Sequence, residues 1–115
     1  MNQPLHQFKA AFFKALAHPV RLAILEQLRE GEQSVNAIQA ALGADQSTVS
    51  QQLARLRAAG IVASRKEGTT VFYAVRDPLL FTLMDVARDI FNNQIISDQA
   101  MLAELRKANA PARKR

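Results

Sequence analysis

Two helical patterns separated by only two or three residues constrain this chain more than any other feature. The first, "SVNAIQAALG", offers Ser34 as a cap. Val35, Ile38 and Leu42 follow at helical spacing, and Gly43 ends the pattern. The second, "DQSTVSQQLARLRAAG", has Asp45 as its cap. Val49, Leu53 and Leu56 form its narrow apolar stripe, and Gly60 stops it. A short helix, a tight turn and a longer helix make the helix-turn-helix plan.

The flanking segments extend that plan. Residues 4–17 carry Leu5, Phe8, Phe12, Ala15 and Leu16 at helical spacing. Pro19 opens a second helix, "PVRLAILEQLRE", with Leu22, Leu25 and Leu28 expected inward before Gly31. Residues 61–75, "IVASRKEGTTVFYAV", place β-branched and aromatic residues on both sides of Glu67-Gly68, which predicts a hairpin. Asp77-Pro78 opens a fifth helix, "DPLLFTLMDVARDIFNN", and a weaker helical pattern spans about 98–108. The fold class expected is mainly α with a small β-hairpin: a winged helix-turn-helix that works as a dimer. The expected division is a DNA-binding and dimerisation domain over 1–93, a helical extension over 94–108 and a basic disordered tail over 109–115.

The longer helix of the pair has an unusual outer face. With Val49 at the buried centre and about 100° per residue, Ser47, Gln51, Ala54 and Ala58 point outward, flanked by Thr48 and Arg55. A solvated helix usually carries mixed Lys and Glu there. Small hydroxyl and amide side chains instead suit a major groove. Gln can pair with adenine, Ser and Thr can bond either way, and Arg can pair with guanine or phosphate. The free N–H groups at the helix start suit a phosphate. Taken alone, this face is also what a weakly charged solvated helix would show. The preceding short helix and the following hairpin favour DNA.

Charge supports the same local reading. Five of the fifteen basic residues, and none of the ten acidic ones, fall in the last ten residues, "RKANAPARKR". The rest of the chain is therefore balanced, and the net charge of +5 says little about DNA by itself. Gln46 to Lys66, however, contains no acid and four bases, Arg55, Arg57, Arg65 and Lys66. Arg65 and Lys66 stand just before the hairpin turn, where they could meet backbone phosphate or a minor groove. Glu67 at the tip works against that contact.

Composition narrows the function classes. A chain of 115 residues makes one domain with a short tail. The absence of cysteine removes disulfides, thiolate metal sites, cysteine nucleophiles and thiol redox sensing together. His6 and His18 are the only histidines. His18, before Pro19, suits a cap better than a metal ligand. Asp85 and Asp89, one turn apart, suit a solvated acidic face better than a cation site, although an unusual metal site stays open. No nucleophile–base pair, Gly-rich phosphate loop or acid/base cluster is visible, so no enzyme is expected. No apolar run reaches a membrane span and no basic-then-apolar leader opens the chain, so the expected location is the cytoplasm.

The fifth helix is apolar on more than one face. Leu79, Leu83, Val86 and Ile90 make one stripe; Leu80, Met84, Ala87 and Phe91 make another. A helix apolar nearly all round must be buried nearly all round, and one small body cannot cover it. A twofold partner could, with Phe8 and Phe12 of the first helix joining the interface. Two recognition helices would then face successive major grooves and read an inverted repeat.

In their order, "LAHPVRLAILEQL", "STVSQQLARLRAAGIV", "RKEGTTVFYAV" and "DPLLFTLMDVARDIF" resemble the ArsR/SmtB family of small bacterial winged-helix repressors, over about residues 8–93. The resemblance implies a homodimer that binds a double-stranded operator and is released by an inducer, often a metal ion. The matching positions are Gln46, Ser47, Thr48, Ser50, Gln51 and Arg55 on the reading helix, with Arg65 and Lys66 on the wing. The family's thiolate site needs a cysteine pair near the third helix, where this chain has "SVNAIQAALG". Its other common site uses carboxylates and histidines on the fifth helix. Asp77 remains, but Leu79, Ile90 and Asn93 stand at the other ligand positions. Both usual metal sites are thus expected to be absent, with no cofactor evident. The signal could be an unusual metal, a small molecule or a protein co-regulator. An alternative is a winged helix used only as a protein-interaction module. Steep salt dependence of DNA affinity would separate the two, because cations displace counterions from phosphate.

Overall fold

Helices start and stop where the sequence supplies caps. In the computed structural model, which describes residues 3–109, α1 spans Gln3–Leu16 and α2 spans Pro19–Gln27. His18 caps α2: its backbone is extended, and its Nδ1 accepts from the Val20 N–H at 3.1 Å. The chain then tightens into a 3-10 turn, Leu28–Glu30. Ser34 caps α3 (Val35–Leu42), its Oγ accepting from the Ala37 N–H at 3.1 Å. Gly43 ends α3 at φ +65°, a left-handed conformation that costs any other residue. Asp45 is the first flanking residue of α4 (Gln46–Ala58).

The core collects around α4. Val49, Leu53 and Leu56 are 0% exposed, and so are Ile24 and Leu25 of α2 and Ile38 of α3. Burial of each such side chain stabilises by about 1.5–3 kcal/mol. The expected inward position of Leu22 is not found: it is 43% exposed, and Ile24 takes its place. The reason is geometric. Ile24, Leu25 and Leu28 share one face, and Leu22 lies about 100° round the helix from its centre.

The expected hairpin belongs to a three-stranded antiparallel sheet. Strands β2 (Val62–Glu67) and β3 (Thr70–Val75) pair from Val62 opposite Val75 to Glu67 opposite Thr70. A two-residue strand, β1 (Gln33–Ser34), pairs with the other edge of β3, giving the order β1-β3-β2. So short a strand leaves no alternation to read in the sequence. It is held by a side-chain tether. Gln27 Nε2 donates to Gln33 Oε1 at 3.1 Å, and Gln33 Nε2 donates to the Gln27 carbonyl at 2.8 Å.

The last helix also departs from expectation. Helix α5 runs unbroken over Leu79–Asn109, 31 residues, so the expected boundary at 93 falls inside it. Asn92, Asn93 and Ser97 lower helix propensity, but no Gly or Pro interrupts the run. The chain divides into two compact units, Met1–Pro78 and Leu79–Arg115. Residues 110–115 of the expected tail lie outside the described residues.

Candidate nucleic-acid interface

The buried stripe of α4 dictates what its other side presents. With Val49, Leu53 and Leu56 locked in the core, Gln46, Ser47, Ser50, Gln51, Ala54, Arg55 and Ala58 are all exposed. Thr48 is half-buried at the helix start. The hydroxyls of Thr48 and Ser47 hold the Asp45 carboxyl below the usual carboxylate range, and Ser47 Oγ lies 3.3 Å from Asp45 Oδ2. Two of the hydroxyls expected to face DNA are thus also engaged in closing the turn. Gln52, absent from the sequence reading, is buried at 8% exposure, and its Oε1 accepts no bond among the described residues. Its amide matches those of Gln46 and Gln51, so composition could not single it out; its position about 40° from Leu56 on the helical wheel, at the border of the buried stripe, could have.

A groove of about 370 Å³ joins three elements. Asn36 of α3, Gln46 and Ser50 of α4, and Thr69, Thr70 and Val71 at the wing border it. Its donors and acceptors are amides and hydroxyls rather than charges, which is the chemistry that reads base edges. Gln46 and Ser50 were expected here. Asn36 was not, because only the α3–α4 packing brings it beside them.

The wing cations separate into two kinds. The register puts Arg65 opposite Phe72, with the guanidinium 4.6 Å above the ring. Glu32, just before β1, meets Arg65 through two bonds of 2.7 Å each, and Glu67 accepts a third at 2.6 Å. This fork-to-fork pairing holds the Glu32 carboxyl below its ordinary range and pushes the Arg65 pKa up, Glu32 acting more strongly than Glu67. Arg65 therefore fastens the wing to the β1 edge, and two carboxylates balance its charge. Lys66 is exposed beside it. No sequence signal links Glu32 to Arg65, which stand 33 residues apart.

The residues expected at a subunit interface are placed unequally. Phe8 is 74% exposed, and Phe12 and Phe13 are exposed and packed edge to face at 5.3 Å. On α5, Leu79, Val86, Ile90 and Phe91 are exposed, and Leu83, Met84 and Ala87 are half-buried. Leu80 is buried, at 7% exposure. Exposed Ile95, Ile96, Met101, Leu102 and Leu105 carry the apolar surface further along α5 than the sequence reading took it.

His18 serves as a cap, and Asp85 and Asp89 flank Arg88 at 3.6 and 4.0 Å. Among the described residues no three His, Cys, Asp or Glu side chains cluster as metal ligands would. No helix among them is long and apolar enough to cross a membrane.

A helix, a tight turn, a second helix with a polar outer face and a β-hairpin together define a winged helix-turn-helix, a DNA-binding class. Residues 18–64 match the family described as bacterial regulatory protein, arsR family. The chain is 41% identical over 106 residues to the uncharacterised HTH-type transcriptional regulator Rv0081 of Mycobacterium tuberculosis, covering 91% of this chain and 93% of that one. The crystal structure of Rv0081 superposes with a TM-score of 0.75 over 86% of this chain and 99% of that one. This chain is 42% identical over 82 residues to the biofilm growth-associated repressor of Agrobacterium fabrum, covering 71% of this chain and 70% of that one. A solution structure of the homodimeric winged helix-turn-helix domain of Mb0332 from Mycobacterium bovis is 36% identical, with a TM-score of 0.60 and 85% of each chain covered. The chain belongs to the arsR family and is a DNA-binding transcriptional regulator.

Proposed function

We propose that the protein represses transcription by binding an inverted-repeat operator as a homodimer, reading bases with Gln46, Ser47, Ser50, Gln51 and Arg55. The observation that carries this reading is the two-sided character of α4: a fully buried apolar stripe opposite an exposed face without acids. Thr48 supports the helix start, Lys66 meets a phosphate, and Arg65 positions the wing. The exposed apolar surfaces of α1 and α5 support the dimer. The names of the biofilm repressor and the homodimeric Mb0332 domain support repression and pairing. The chain has no cysteine, so its signal does not act through a thiolate site, and Leu79 and Ile90 cannot ligate a metal on α5. The protein acts in the cytoplasm, where its DNA is.

Selection of bound sites from random duplex DNA tests the reading. The expected product is an inverted repeat with half-site centres about 34 Å apart, one helical turn. Recovery of no enriched sequence, by a protein that is monomeric at working concentration, would refute it.

A further inference from the structure

A second depression, of about 430 Å³, lies between α1, α2 and the end of α4 and has no part in the groove described above. It is lined by small apolar side chains, among them Ala11, Ala15 and Ala58, and by three cations, Lys14, Arg21 and Arg55. No carboxylate among the described residues lines it. Like charges gathered on one concave surface repel one another and attract a counter-charge. Other arginines of this molecule stand beside carboxylates: Arg29 pairs with Glu26, and Arg65 with Glu32 and Glu67. Arg21 is held in place, donating from Nη1 to the Ala15 carbonyl at 2.9 Å at the end of α1. Its Nε–H is buried and finds no acceptor among the described residues.

We propose that this depression is a binding site for a small organic anion, one carboxylate or phosphate group on a short apolar body. The cations take the anionic group, and the alanines take the body. Apolar side chains with a few charged groups among them are a usual make-up of a small-molecule site. A DNA phosphodiester offers charge but no apolar body for the alanines. Arg55 also belongs to the outer face of α4, so an occupant would draw that guanidinium away from DNA. That consequence, unlike the site itself, rests on the operator reading given above.

The test titrates the isotopically labelled full-length protein, without DNA, with benzoate and with phenyl phosphate at constant ionic strength. Benzyl alcohol is the neutral control. The expected result is saturable shifts at the amides of Lys14, Arg21 and Arg55 with at least one anion and none with the alcohol. Lys14→Gln, on an exposed position, should weaken binding by about three- to five-fold while leaving the thermal midpoint unchanged. Arg21→Gln removes the tie to Ala15 and could unfold α1, so Lys14→Gln decides. Absence of saturation with both anions, equal shifts with benzyl alcohol, or shifts mapping elsewhere would overturn the site. So would a Lys14→Gln protein that binds the anions as wild type does but shows a salt slope on duplex DNA shallower by about one, the mark of a seated phosphate. Because the titration contains no DNA, failure to find an operator leaves its result standing.

Discussion

Gln51 stands exposed on α4, on the side opposite the buried Val49 and Leu53. Gln51→Ala should cost about 1–3 kcal/mol on the selected operator and little on random duplex. Equal losses on both, measured by fluorescence anisotropy, would remove it from base reading. Lys66→Ala should weaken all sequences alike and make the salt slope shallower by about one unit. Arg65 behaves differently because carboxylates already hold it. Glu32→Gln should loosen that hold, raise affinity for random DNA and steepen the salt slope. An unchanged slope would mean that Arg65 stays bound to Glu67 and Phe72. Acid should act in the same direction. The folded pKa of Glu32 is depressed, so its pairing contributes above the ordinary carboxylate range and is lost as pH falls through the folded value. Side-chain carboxyl shifts of Glu32, followed by NMR, should titrate below those of an unpaired glutamate.

At the scale of elements, the α3–α4 turn depends on Gly43. A Cβ there would meet nothing within 4 Å, so the cost of Gly43→Ala is purely conformational. The left-handed backbone should lose about 1–2 kcal/mol on that change. The melting temperature should fall by about 5 °C or more, and an unchanged midpoint would show that the turn relaxes freely. The pattern that located this turn was legible because caps act locally: Ser34, Gly43 and Asp45 each signal within a few residues. Strand β1 and the unbroken length of α5 were not. Strand β1 exists because β3 offers an edge and Gln27 tethers Gln33, contacts that no local window contains. The expected boundary at 93 coincides with the end of the family resemblance, and Asn92 and Asn93 there are weak helix formers. A helix already nucleated continues through such residues unless something stops it.

For the whole molecule, the exposed apolar residues of α1 and α5 are the feature with the largest consequence. Ile90→Glu lies on an exposed position of α5, so the helix content of one chain should survive the change. The variant should sediment as a monomer, and its operator affinity should fall by about 100-fold as the second half-site contact is lost. A dimer that persists would place the interface elsewhere. Of the residues expected at the subunit interface, Phe8, Phe12, Ile90 and Phe91 are exposed and Leu80 is buried.

Periodicity and capping by themselves determined the order of the helices, the hairpin, the turn and which face of α4 is polar. Each of these follows from interactions a few residues apart. The tertiary structure decided which cations are spent on carboxylates, which amide is buried, and which distant side chains share a groove. Arg65 with Glu32, Gln52 inside the core, Asn36 beside Gln46, and Lys14 with Arg21 and Arg55 are all pairings across elements. They depend on packing angles and strand register, and one-dimensional spacing carries no information about either.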